Sequence, residues 1–258
     1  MKRKLAIVAA SAMAVLAGPG VALGQDDAMD EPQYRPVETF TCSYVDGKGR
    51  ADLDKVIAAW NKWMDGQGVG NYFAALATPY YYGEWAFDIG WLGVWKDGNA
   101  MGQGTDTWLA KGSEVNNKFS EVVTCDSHSG YVSLMVEQPA QNDEPDGDFV
   151  LTFQNCSMKE GKEFDEYLAA QETWNAYADE HGIEGGTWVW FPLWGESDDD
   201  YDFKLIYGED DFTEVGANWA KFAEGHYRKS EELFADLLDC DVGRVYLGEM
   251  VRDWADDE

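Results

Sequence analysis

A few stretches of this 258-residue chain carry side chains whose types and spacing could do chemistry. Asp126-Ser127-His128-Ser129-Gly130 sets a histidine among hydroxyls, the makings of acid–base or nucleophilic work. No Gly-x-Ser-x-Gly or His-Glu-x-x-His run accompanies it, and a surface turn at a strand entry is the simpler reading. Asp198-Asp199-Asp200-Tyr201-Asp202, followed by Glu209, imitates the acid spacing of a calcium loop. Phe203 stands where that loop needs glycine for its sharp turn, so a solvated hairpin is the simpler reading. Gly47-Lys48 and Gly161-Lys162 precede helices as in a phosphate loop. Both lack the earlier glycine and the following Ser or Thr, and read as turns that start helices. No residue is therefore assigned to catalysis, a cofactor or a metal.

The aromatic residues point elsewhere. The chain has 12 Trp and 13 Tyr, and they cluster at Tyr80-Tyr81-Tyr82…Trp85 and at Trp190…Trp194. Rings at a strand end can line the mouth of a cavity and stack on a flat ligand. Tyr80, Tyr81, Trp85, Trp190 and Trp194 are the ligand candidates, with plain core packing as the competing explanation.

The elements that would position these groups occur twice. Cys42-Ser43…Gly47-Lys48 returns as Cys156-Ser157…Gly161-Lys162, Trp60 answers to Trp174, and Asp88 to Asp202. With small insertions Pro79 matches Pro192, Cys125 matches Cys240 and Tyr131 matches Tyr246. A repeat this long is two small domains rather than a solenoid. The expected organisation is a signal peptide (1–24), a disordered acidic lead-in (25–38), a first half (39–136), a linker (137–148), a second half (149–252) and an acidic tail (253–258).

Each half reads as strand, helix, strand, strand, helix, strand. Leu53, Val56, Ile57 and Trp60 form one helical stripe; Phe164, Tyr167, Leu168 and Trp174 form another, with Gln171 as a polar lapse. The second helix of each half is expected to break, near Gly112 and near Gly225, and Thr213 is read as an N-cap. This order is the ferredoxin-like βαββαβ unit. Its helices cover one face of the sheet, yet Ile89–Trp95 and Trp188–Trp194 are apolar on both faces. The predicted fold is α+β: two tandem ferredoxin-like halves whose antiparallel sheets pack face to face as a pseudo-two-fold α/β barrel.

On that element order and those two-faced strands, residues 39–252 resemble the dimeric α/β-barrel superfamily in a fused, single-chain form. The superfamily includes cofactor-free and haem-dependent oxygenases as well as proteins of no known activity. The resemblance implies an alternative to simple binding: a monooxygenase-like enzyme using Tyr81, Glu84, His128 or His226, the last as a haem ligand. Four Cys allow three pairings. In a ferredoxin-like sheet the first and fourth strands are antiparallel neighbours, so the resemblance selects Cys42–Cys125 and Cys156–Cys240.

Composition bounds the partners. Met1-Lys2-Arg3-Lys4, the apolar run Leu5–Gly18 and Ala22-Leu23-Gly24 read as a bacterial signal peptide, implying a periplasmic or secreted protein. Its removal leaves 16 Lys and Arg against 49 Asp and Glu, a net charge of −33. That field repels phosphate backbones and anionic membranes, so neither nucleic acid nor membrane is expected as a partner. The expected function is an exported, non-catalytic protein that binds a small apolar or aromatic ligand or serves as a stable scaffold.

Overall fold

The structure, a computed structural model, describes residues 34–83, 87–139, 147–195 and 201–254. The expected signal peptide, most of the lead-in, the centre of the linker, Glu84, Trp85, Asp198–Asp200 and the end of the tail lie outside the described residues.

The long helices form where the apolar stripes predict them. Helix α1 (Arg50–Gln67) buries Leu53, Val56, Ile57, Trp60 and Met64, and Gly68 ends it in the left-handed conformation at φ 70°. Helix α4 (Phe164–His181) starts in a capping box between Glu163 and Glu166 and ends at Gly182, φ 60°. Helices α2 (Gly98–Lys111) and α3 (Ser113–Ser120) meet at Gly112. Helix α5 (Phe212–Lys221) runs through a π-helical segment, Phe222–His226, into α6 (Tyr227–Phe234). Gly225, at φ 116°, makes that break. The N-cap of α5 is Asp211, not Thr213: its carboxylate accepts from the Thr213 and Glu214 amides.

All the described strands join one antiparallel sheet. Strands β1 (Tyr34–Tyr44), β2 (Tyr72–Tyr81), β3 (Ile89–Trp95) and β4 (Val123–Glu137) lie in the order β4-β1-β3-β2. Strands β5 (Asp148–Met158), β6 (Gly186–Trp194), β7 (Phe203–Glu209), the short β8 (Leu238–Cys240) and β9 (Arg244–Arg252) complete it. Here the order is β9-β5-β7-β6, and β8 pairs only with the end of β5. The β2–β9 and β4–β6 pairings then close eight strands into a barrel. Closure removes the free sheet edges that would otherwise invite pairing with other chains.

Registers agree between the two four-strand groups. Thr41 lies opposite Gly90, and Gly90 opposite Ala77; Asn155 lies opposite Lys204, and Lys204 opposite Trp190. Thr39 faces Ser129 as Phe153 faces Arg244. The polar clamps agree as well. Asp88 accepts from the Tyr44 amide at 2.9 Å and Asp202 from the Met158 amide at 2.7 Å. Asn61 on α1 donates to the Val251 carbonyl at 2.8 Å, while Asn175 on α4 donates to the Val136 carbonyl at 2.7 Å. Each of these helices thus reaches the last strand of the other group. Gln171, the polar lapse, is 5% exposed and accepts from the buried Tyr167 hydroxyl. It also donates to Asn175, so the lapse is one link in that latch.

Both disulfides are those expected, Cys42–Cys125 joining β1 to β4 and Cys156–Cys240 joining β5 to β8. Two further expectations change. The strand β1 begins at Tyr34, so the last residues of the expected lead-in are strand. Asp126–Gly130 is not a turn but the middle of β4. The stretch looked like a turn because it is polar, and it is polar because of what its inner face meets.

Candidate ligand-binding site

The barrel interior has two contents. At one end Val37, Leu92, Tyr131, Leu151, Trp190 and Ile206 pack together with Val94, Phe149, Phe153 and Trp188 into an apolar plug. Toward the other end lies a cavity of about 320 Å³ to which all eight barrel strands contribute. Side chains alternate along a strand, so Ser127, Ser129 and Tyr131 of β4 face in together with Thr39 and Thr41 of β1. The Thr41 and Ser127 hydroxyls are hydrogen-bonded at 2.6 Å. Both disulfides stand just beyond this cavity, Cys42 following Thr41 and Cys156 following Asn155.

The remaining wall comes from the strands β5, β6, β7 and β9. Trp190 is 4% exposed, with its ring edge-on to Phe153 at 5.4 Å and tilted to Tyr131 at 5.6 Å. Its buried indole N–H has no hydrogen-bond partner among the described residues. Lys204 Nζ donates to Asn155 Oδ1 at 3.1 Å and lies 4.3 Å from the Tyr201 ring centroid. Arg244 pairs with Asp241 through both carboxylate oxygens, at 2.7 and 3.3 Å. Burial raises the Tyr246 phenol above its ordinary pKa, and the nearby Arg244 charge partly opposes that shift.

Of the expected ligand candidates, Trp190 lines this cavity and the other described ones lie outside it. Tyr80 and Tyr81 are 49% and 61% exposed and pack against Phe212. Trp194 is 58% exposed and covers Gly130, whose added Cβ would stand 2.9 Å from the indole. Alternation from Trp190 would carry Trp194 to the inner face. Register shifts at Pro79/Tyr81 and at Gly130/Tyr131 turn the strand ends outward instead. Trp85 lies outside the described residues.

His128 points away from the cavity, between Ser127 and Ser129. Its ring stacks on Phe40 at 3.8 Å, and Nε2 is 2.9 Å from Glu38 Oε2. The other Glu38 oxygen accepts from the Tyr72 hydroxyl at 2.8 Å, and the Trp91 indole donates to that hydroxyl at 3.0 Å. Burial first, and the Glu38 charge second, push the Tyr72 phenol well above its ordinary pKa. This relay ties β1, β2, β3 and β4 together on the helix-covered face. The sequence held a signal for it only in the alternation of β4, which its polar inner face obscured.

His226 lies in the π-helical segment, with Nδ1 2.7 Å from the Tyr177 hydroxyl and its ring 4.6 Å from that of His181. A haem needs an axial donor and a flat slot. The described cavity lining offers no His, Cys or Met. Around His226 the helices touch directly, Trp174 meeting Phe222 at 5.9 Å, so a macrocycle does not fit between them. The residues present do not fit a haem at either place. Of the calcium-like acids, Asp202 is engaged by the Met158 amide and Glu209 belongs to the strand β7.

No protein-family model matches the chain, and no curated protein matches its sequence. Solved structures match its fold. A crystal structure provisionally named chlorite dismutase is 13% identical, covering 84% of this chain and 95% of its own, with a TM-score of 0.51. A provisionally named monooxygenase from Lactobacillus acidophilus is 11% identical over 84% and 94%, TM-score 0.50. A variant of the chlorite dismutase from Candidatus Nitrospira defluvii is 9% identical over 86% and 93%, TM-score 0.50. These likenesses place the fold with the chlorite dismutase-like, dimeric α/β-barrel proteins. Fold alone does not carry activity across.

Proposed function

We propose that the chain is an exported, non-catalytic binding protein that holds a small aromatic ligand inside its barrel, and that the barrel is a tandem pair of ferredoxin-like halves. The carrying observation is the roughly 320 Å³ cavity, to which every barrel strand contributes, with rings and hydroxyls prominent in its wall. That volume sits at the low end of small-molecule pockets, which are about 300–1,000 Å³. An apolar cavity of about 150 Å³ already accepts benzene, so one substituted ring fits here.

The duplicated organisation is supported by the shared strand order, the matching registers and the reciprocal Asn61 and Asn175 bonds. Export is supported by the two disulfides, which persist in oxidising compartments. Among the described residues no helix is long and apolar enough to cross a membrane. The enzyme reading loses support from geometry, because His128 faces away from the cavity and is held by Glu38.

Titrating the tryptophan emission with a panel of single-ring compounds tests the reading. Saturable quenching is expected in the natural chain, and its loss in Ala77→Phe, which fills the small side of the cavity. A flat response to the whole panel at millimolar concentrations would overturn it.

A further inference from the structure

We infer that the cavity selects a simple phenol over the same ring without its hydroxyl, and seats that hydroxyl on the Thr41–Ser127 pair. The inference rests on the proposed ligand-binding role and comes from a difference between the two walls. Positions that share a register carry different chemistry. Gly90 on β3 corresponds to Lys204 on β7, Ala77 on β2 to Trp190 on β6, and Thr39 on β1 to Phe153 on β5. One wall is small and bears hydroxyls. The opposite wall is bulky and bears rings.

The cations of the bulky wall are engaged by the protein itself. Lys204 donates to Asn155, and Arg244 is paired with Asp241 and also donates to the Phe153 carbonyl. The small wall differs. Thr41 on β1 and Ser127 on β4 are register partners, both line the cavity, and their hydroxyls bond each other at 2.6 Å. Each hydroxyl brings one O–H donor and two lone pairs, and the mutual bond uses one donor and one lone pair. Among the described residues no other hydrogen bond engages either group. One O–H and several lone pairs therefore remain for whatever occupies the cavity. The position that answers to Thr41 is Asn155, whose oxygen is taken by Lys204, so the other wall has no such pair.

A phenolic hydroxyl both donates and accepts, so it completes the pair. A hydrocarbon or halogen in the same place displaces water from the pair and leaves its remaining O–H unmet. Stranding a buried polar group costs more than forming one bond gains, and that asymmetry makes the selection steep. The disulfide Cys42–Cys125 ties the same two strands just beyond Thr41, so the hydroxyls are held in place before a ligand arrives. With the hydroxyl seated there, the ring extends toward the opposite wall, where Phe153 and Trp190 meet edge-on at 5.4 Å.

The test is calorimetric titration of the full chain, both disulfides formed, with phenol and with fluorobenzene, which share a ring and differ in one small substituent. Phenol is expected to bind about tenfold tighter or more, the factor a satisfied against a stranded hydroxyl supplies. Thr41→Val combined with Ser127→Ala should bring the two affinities within about twofold of each other, while Thr41→Ser should keep the preference. Should the double variant fail to fold by circular dichroism, the ratio in the natural chain decides alone. Equal or tighter binding of fluorobenzene would overturn the selection while leaving the binding role standing. A preference that survives in the folded double variant would overturn the assigned seat. No binding of either compound would count against both the selection and the binding role.

Discussion

Glu209 gives the fold a pH dependence whose sign is opposite to that of most paired carboxylates. It ends β7, its Oε2 is buried without a hydrogen-bond partner among the described residues, and its pKa is raised to about 7. Burial is the main cause, and the Glu214 charge adds to it. A carboxyl whose folded pKa lies above its unfolded value costs nothing at acid pH, where both states hold the proton. Between pH 4.5 and about 7 the unfolded chain gives up the proton and the folded chain keeps it, so stability falls as pH rises. Above about 7 the loss is complete.

A rise from 4.5 to about 7 would be worth at most about 3.4 kcal/mol, at about 1.36 kcal/mol per pH unit. Glu209 keeps partial contact with solvent, so about 1–2 kcal/mol is the working figure. Urea unfolding of the natural chain and of Glu209→Gln at pH 4.5 and pH 8 measures it. The variant's stability relative to the natural chain should improve by about 1–2 kcal/mol between the two pH values. A difference that is the same at both would refute the reasoning, whatever its absolute size, because a packing effect of the amide does not titrate.

Removing Cys42 and Cys125 together, or Cys156 and Cys240 together, should each cost up to about 4.5 kcal/mol, the chain-entropy figure for loops of this length. Denaturant titration of the double alanine variants checks this, and a non-reducing peptide map should show no crossed pair. Asn175→Ala and Asn61→Ala should each cost about 2–3 kcal/mol, because each breaks the bond to the facing strand and also strands a second partner, the buried Gln171 amide in one case and the Arg252 guanidinium in the other. A loss of under about 1 kcal/mol in either variant would show that the second bond of that asparagine adds nothing.

Much of the scaffold was legible because its signals are local. The stripes of α1 and α4, the breaks at Gly112 and Gly225, and the doubly apolar strands β3 and β6 each follow from residue type and period. The disulfides followed from strand adjacency. The site was less legible, and for one physical reason. A strand facing a cavity carries Ser and Thr where a strand facing a core carries Val and Leu. Asp126–Gly130 therefore lost the alternation that marks a half-buried strand and resembled a turn. The outward Tyr81 and Trp194 were hidden differently. A register shift has no signature of its own in the sequence, yet it moves every later side chain to the other face.

The mismatch between Gly90 and Lys204 has a consequence for how such a pocket can arise. A barrel assembled from two identical chains must repeat every residue across its axis. A lysine on one wall would then confront a second lysine, and each tryptophan its own copy, crowding the space and doubling the charge. Covalent joining of the two walls lifts that constraint. One side can then carry Gly90 and Ala77 where its counterpart carries Lys204 and Trp190, so the two walls of one cavity differ in shape and chemistry.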